Sequence, residues 1–93
     1  MLESPRRVEK PWGYELIWAE TDEYAGKILH VTAGEALSLQ YHEVKDETLF
    51  LLKGCLLLQA GGSANELIDY RMLEGQSFHM PTGTVHRMIA ETD

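Results

Sequence analysis

The chain has little capacity for disulfide chemistry and little positive charge. Its single cysteine, Cys55, cannot form an internal disulfide, which favours a reducing cytoplasm as its location. Eight lysines and arginines stand against 15 acidic residues, for a formal net charge of −7, and no basic stripe is interleaved with aromatics. We therefore expect no nucleic-acid partner. An anionic ligand would have to be held by local contacts, because the overall field does not attract it.

Long apolar runs and helical periodicity are also missing. No run approaches the roughly 20 apolar residues of a membrane helix, and the opening MLESPRRVEK lacks the apolar centre of a signal peptide. We therefore expect no membrane association. At 93 residues, the chain should form a single domain over residues 1–93, because separate cores usually need on the order of 100 residues each.

The chain does contain many short segments rich in β-branched, aromatic and leucine residues, each followed by turn residues. Such a pattern predicts an all-β sandwich or barrel. The predicted strands are Tyr14–Ala19, Lys27–Val31, Ala36–His42, Glu47–Lys53, Cys55–Gln59, Glu66–Tyr70, Ser77–Met80 and His86–Glu91.

Two spaced patterns carry residues that suit a metal ion. In order along the chain, they consist of Gly34, Gln40, His42, Glu47 and Gly54, and then Gly75, Pro81, Gly83 and His86. One amide, two imidazoles and one carboxylate, from Gln40, His42, Glu47 and His86, suit one divalent ion with nitrogen and oxygen ligands. Gln40 and His42 are two residues apart, so on a strand they share a face. We expect a tight turn to return Glu47 on the neighbouring strand and His86 to enter from across the barrel. The alternative is the same barrel without a functional metal site.

The remaining histidines and the cysteine fall outside both patterns. We interpret His30 and His79 as structural or surface residues. Cys55 lies in an apolar segment with no acid–base partner nearby in the sequence, which favours a buried thiol over a nucleophile.

These motifs resemble those of the cupin superfamily, with Gln40 where most cupins carry a first histidine. The segments EKPWGYE (9–15), LSLQYH (37–42) and TVHR (84–87) resemble, more specifically, the phosphomannose-isomerase-type cupins. These comprise stand-alone mannose-6-phosphate isomerases and the isomerase domain of bifunctional mannose-1-phosphate guanylyltransferases. The resemblance implies a jelly-roll barrel, the cupin double-stranded β-helix. It also implies zinc as the metal, with iron, manganese, nickel and cobalt as alternatives, held by Gln40, His42, Glu47 and His86.

The resemblance further implies an aldose–ketose isomerase acting on a sugar phosphate such as mannose 6-phosphate. In such an enzyme a divalent ion would polarise the C1 or C2 oxygen of the sugar. Arg87 and Lys27 are the candidates for contacting substrate oxygens or phosphate, and Glu43 and His79 are the candidate bases.

Three differences from that family keep other functions open. Glu43 and Val44 replace a run of histidines, Ala90 replaces an asparagine that closes the second motif, and the catalytic enzymes are longer. A non-catalytic sugar- or metal-binding module is therefore the main alternative. A non-haem iron or manganese oxygenase ranks lowest, because Gln40 departs from the usual histidine-rich ligand set.

The run from Thr48 to Gln59 is apolar on both strand faces, which predicts a sheet that packs on a second copy in a homodimer. The alternative is cover from within the monomer. The chain ends seven residues past His86, where the resembling proteins continue with another strand or two. Either a trimmed chain or a barrel completed by a partner's strand is consistent with this ending.

Overall fold

The computed structural model describes residues 1–41 and 46–92, and these form nine β-strands without any helix. The all-β prediction is confirmed. None of these elements is a helix that could cross a membrane. The strands are β1 Arg6–Lys10, β2 Gly13–Glu20, β3 Ala25–Val31, β4 Gln40–Tyr41, β5 Glu47–Phe50, β6 Cys55–Gly61, β7 Ile68–Leu73, β8 Ser77–Met80 and β9 Val85–Ala90.

The described strands form three antiparallel sheets. The first has the order β1-β2-β3, the second β4-β9-β6-β7, and the third consists of β5 and β8. In the second sheet β9 lies between β4 and β6, although 23 residues separate β6 from β9 in the chain (62–84). This crossover brings the two sequence motifs onto neighbouring strands.

The core lies on one face of the second sheet. Burial alternates strictly along β6 and β9, as expected for strands with one face toward a core. Leu58 is completely buried, and Met80 on β8 is 2% exposed. The other buried apolar residues are Leu37, Leu56, Ala60, Met72, Met88 and Ala90. Leu29 and Val31 of β3 and Leu49 and Phe78 of the third sheet pack against this cluster.

The strand predictions differ from the structure mainly at the ends and in polar segments. The Ser77–Met80 strand is confirmed to the residue. Strand β1 was not predicted, because its sequence RRVEK has no apolar alternation; it forms by pairing with β2. Strand β7 was predicted as Glu66–Tyr70 but lies at Ile68–Leu73, because its pairing with β6 continues to the Cys55–Leu73 pair.

The predicted strand Ala36–His42 is mostly not regular strand. Within its described part, only Gln40 and Tyr41 belong to β4, with an isolated bridge from Ala36 to Ile89. The Leu37 amide nevertheless donates to the Met88 carbonyl oxygen at 3.0 Å, so the segment still runs alongside β9. Its last residue, His42, lies outside the described residues.

Candidate metal and substrate site

Gln40 and His86 are direct cross-strand partners on β4 and β9. Directly opposed residues of an antiparallel pair project from the same face, with Cβ atoms about 4.5–5.5 Å apart. The expectation that His86 enters from across the barrel is therefore wrong. The two sequence motifs meet side by side in one sheet, and the side chains of Gln40 and His86 project from the same face.

His86 is the one buried polar residue among the described positions, with 2% of its surface exposed. Its face of β9 is the core face, which it shares with Met88 and Ala90. Its Nδ1 lies 3.4 Å from the Thr84 carbonyl oxygen. A backbone carbonyl beside one ring nitrogen orients the ring in the way common for metal-binding histidines.

The turn before β9 fixes the Thr84 carbonyl. The Thr84 amide and hydroxyl both donate to the Pro81 carbonyl oxygen, at 3.2 and 2.7 Å. Gly83 has a φ of 86°, which glycine adopts without steric cost. The Pro81, Gly83 and His86 spacing thus builds a tight turn that sets the orientation of the histidine.

Glu47 begins β5 and pairs with Met80 of β8. Along β5, Leu49 packs on the core whereas Thr48 and Phe50 are exposed, so alternation puts Glu47 on the inner face. Its Oε1 atom is shielded from solvent. A carboxylate in such a place must be offset by hydrogen bonds or a cation, because it has lost much of its hydration. This inner carboxylate is compatible with the predicted role as a metal ligand.

The fourth predicted ligand, His42, lies outside the described residues, as does the candidate base Glu43. Within residues 1–41 and 46–92, no three His, Cys, Asp or Glu residues gather as a metal site. This statement does not cover two of the four predicted ligands, because Gln40 is none of these four residue types and His42 lies outside the described residues. The described donors, one amide oxygen, one carboxylate and one imidazole, fit a divalent ion of the zinc type. Metal binding itself stays a prediction.

Arg87 lies on the face of β9 opposite His86, since adjacent strand residues point to opposite sides. Its Nε and Nη2 atoms donate to Gln59 Oε1 at 3.0 and 2.5 Å. Gln59 Nε2 in turn donates to Asp69 Oδ1 at 3.1 Å, which makes a polar row across β9, β6 and β7. The structure therefore does not bring Arg87 together with the candidate ligands.

Lys27 lies on β3, where its Nζ is 3.9 Å from Glu15 Oε1. Lys10 Nζ is 4.0 Å from the same oxygen, and the Glu15 side chain is only 12% exposed. Lys27 lines a cleft of about 650 Å³ between β3 and β5, whose floor includes Leu56 and Met88. None of the described ligand candidates lines this cleft. Lys27 is thus placed apart from the candidate ligands that the structure describes.

His79 and His30 both lie away from the interior. His79 Nε2 is 2.8 Å from Asp46 Oδ1, on the exposed face of β8. The His30 ring stacks on Tyr14, with centroids 4.9 Å apart and planes at 8°. These contacts agree with a structural or surface interpretation of the two histidines.

Cys55 is half-buried rather than fully buried, with its Sγ 3.4 Å from Glu91 Oε2. Arg71 also contacts that carboxylate. Hydrogen bonds from Arg71, and secondarily from Cys55, hold the pKa of Glu91 below its ordinary value. This exposed cluster ties the end of the chain to β6 and β7.

A second cleft, of about 270 Å³, lies between the 81–84 turn and strands β6 to β8; His79 lines it, whereas His86 itself does not. Its wall includes Ala60, the cross-strand partner of His86 on β6, and Thr84, whose carbonyl oxygen contacts the imidazole. Tyr70 on β7 and Phe78 on β8 form its aromatic side. This cleft was not predicted from the sequence. The period-two pattern Ile68, Tyr70, Met72 indicates one strand face, but it carries no information on the cleft that this face borders.

Antiparallel sheets packed around a core that contains a buried histidine, with a partner amide on the adjacent strand, define a cupin-type domain. The chain belongs to the mannose-6-phosphate isomerase C-terminal family, whose model matches residues 1–92. The predicted jelly-roll barrel and cupin resemblance are confirmed.

The crystal structure of the BH2720 protein of Bacillus halodurans has a similar, cupin-like fold. The comparison of the two structures gives a TM-score of 0.69 and 19% sequence identity, and it covers 85% of this chain. The match covers 54% of the Bacillus protein, so this chain spans about half of its length. At this identity the likeness shows the fold alone. No curated protein matches the chain.

Proposed function

We propose that this domain binds one divalent metal ion through Gln40, His42, Glu47 and His86 and presents it to a sugar or sugar phosphate. The observation that carries the proposal is the Gln40–His86 cross-strand pair, with His86 buried on the core face. A buried imidazole that is oriented by the Thr84 carbonyl oxygen and lies beside an amide side chain is suited to metal ligation.

The donor set also suits chemistry on a sugar carbonyl. One carboxylate and three neutral donors leave a bound divalent ion with a net positive charge, so it can act as a Lewis acid on a substrate oxygen. Glu47, His86 and Gln40 would hold and orient it, and the apolar side chains around them limit access of water. The reaction to test first is the interconversion of mannose 6-phosphate and fructose 6-phosphate, which follows from the family of the chain.

A metal-binding measurement tests the proposal directly. We expect the protein to retain about one zinc ion per chain after dialysis, as ligation by four side chains is typical of protein zinc sites. His86→Ala and His42→Ala should each release it. His79→Ala is the matched control, because this histidine lies on the outer face and pairs with Asp46. Full retention of metal by both ligand variants would contradict the proposal.

A non-catalytic sugar- or metal-binding module is the second candidate function. It is favoured by the placement of the two predicted substrate-binding cations, since Arg87 contacts Gln59 on the outer face and Lys27 lies near Glu15. Incubation of zinc-loaded protein with mannose 6-phosphate separates the two candidates. Formation of fructose 6-phosphate that disappears in His86→Ala supports the enzyme. Binding of the sugar phosphate without turnover supports the module.

The identity of the bound metal tests the third candidate function, a non-haem metal oxygenase. Zinc in protein purified without added metal argues against oxygen chemistry, because zinc has no redox activity. Iron with oxygen consumption would instead favour the oxygenase.

A further inference from the structure

The inner face of β7 changes from core to open surface along its length. Met72 is 4% exposed, Tyr70 37% and Ile68 58%. Their cross-strand partners on β6, which are Leu56, Leu58 and Ala60, all remain buried. The face of β7 that belongs to the core therefore emerges into the cleft of about 270 Å³.

Tyr70 is held in place at the point where this face opens. Its ring lies 4.8 Å from the Phe78 ring, centroid to centroid, at an interplanar angle of 57°. Phe78 in turn packs against the core. Tilted aromatic pairs of this kind are favourable and fix the ring orientation. Tyr70 thus presents a rigid aromatic surface to the cleft.

Tyr70 and His86 project from the same face of the second sheet, two strands apart. His86, Ala60 and Ile68 form one cross-strand row over β9, β6 and β7. Neighbouring strands are about 4.8 Å apart, so this row spans roughly 10 Å. The middle residue is an alanine, which leaves room above it. Tyr70 lies in the next same-face row, opposite Leu58.

The size and chemistry of the cleft match a single sugar ring. Small-molecule sites usually occupy about 300–1,000 Å³, and this cleft is just below that range at about 270 Å³. Ile68, Tyr70 and Phe78 supply an apolar and aromatic side. Thr82 and Thr84 of the 81–84 turn supply polar groups, and the Thr84 carbonyl oxygen lies 3.4 Å from His86 Nδ1. A pyranose has the same division, with a C–H face and a rim of hydroxyls.

We propose that Tyr70 is a positioning and specificity-determining residue whose ring packs against the C–H face of a monosaccharide and directs its hydroxyls toward the candidate metal site at His86. The proposal rests on the proposed function for its metal and adds the location of the sugar. The contact is made by the ring, so the Tyr70 hydroxyl is not required for it.

The test uses the metal-loaded full chain with mannose and mannose 6-phosphate as probes, followed by NMR of the sugar protons. We expect upfield shifts of C–H protons in the wild-type complex, because they lie over an aromatic face. Tyr70→Phe should keep these shifts and the affinity. Tyr70→Leu and Tyr70→Ala should lose the shifts and weaken sugar binding about tenfold, the scale of one aromatic contact. Zinc affinity should be unchanged in all three variants.

Tyr24→Ala is the control, since Tyr24 is 63% exposed near the turn between β2 and β3. Unshifted sugar protons in the wild-type complex would overturn the proposal, and this readout needs no variant to fold. Equal sugar affinity in Tyr70→Leu, or no binding of either sugar by the zinc-loaded protein, would also overturn it. Failure of the proposed function is distinguishable, because it appears as a wild-type protein that holds no metal. If such a protein still bound sugar in a way that depends on Tyr70, the proposed contact between the Tyr70 ring and the sugar would be supported.

Discussion

Arg87 and Gln59 are cross-strand partners on β9 and β6, and the guanidinium donates two hydrogen bonds to the amide oxygen. This pair occupies the outer face of the sheet, while His86 occupies the inner face. The histidine and arginine that adjoin in the sequence therefore belong to different surfaces. Arg87 could contact an interior substrate only if the strand changed its register.

Replacement of Arg87 should affect stability and leave the metal site intact. We expect Arg87→Met to lose about 1 kcal/mol of unfolding free energy, the usual net value of a hydrogen bond, because Gln59 loses its donor. Zinc affinity should match the wild type. Denaturant unfolding and zinc titration measure the two effects. Loss of zinc in this variant, with the fold retained, would place Arg87 at the site after all.

The core should be most sensitive at Leu58, which is completely buried at the centre of β6. Leu58→Ala should cost about 2–5 kcal/mol, because it removes buried methyl groups and leaves a cavity. Leu57→Ala is the matched control, since this half-buried neighbour points to the outer face. Its cost in denaturant unfolding should be clearly smaller. Equal costs would contradict the assignment of the two faces.

The Arg71–Glu91 contact should stabilise the fold in a pH-dependent way. Its hydrogen bond lowers the pKa of Glu91 from an ordinary value of 4.5. The stabilisation is therefore present above that value and is lost as the pH falls through the lowered pKa. The difference in unfolding free energy between the wild type and Glu91→Gln should shrink on acidification below about pH 4.5. Glu3→Gln, outside the strands, should show no such trend.

The predicted homodimer can be tested at the exposed part of the apolar run. Phe50 is 61% exposed and Leu52 72%, so this part of the apolar run is open to a second copy. We expect sedimentation at tens of micromolar to show dimers for the wild type and monomers for Phe50→Glu. Tyr24→Glu is the control at a distant exposed aromatic. A wild type that is monomeric at these concentrations would rule out this interface.

The parts of the fold that the sequence predicted well are those with a strong local pattern. Ser77–Met80 was predicted to the residue, because its apolar residues alternate and turns bound it. Strand β1 was missed, because RRVEK becomes a strand only through its pairing with β2. Long-range pairing of this type has no signature in a single segment.

The candidate site shows the same difference between what local patterns predict and what depends on long-range strand pairing. The sequence predicted that His86 enters from across the barrel, whereas it lies opposite Gln40 on the adjacent strand, since sheet order depends on the crossover from β6 to β9. The opposite facing of Arg87 could have been predicted, because side chains alternate along every strand. The Tyr70 cleft could not, since its shape depends on how β7 and β8 lie against each other. His42 lies outside the described residues, so its role as a ligand stays a prediction.

The turn at 81–84 has a consequence for how this domain tolerates insertions. It leads into β9, in which His86 lies opposite Ala60 and Arg87 opposite Gln59. A shift of one residue would exchange the two faces, so an arginine would enter the apolar interior and the imidazole would face water. Loops on protein surfaces usually accept changes in length. Here an inserted or deleted residue that carried over into the register of β9 would disturb the core as well as the candidate site.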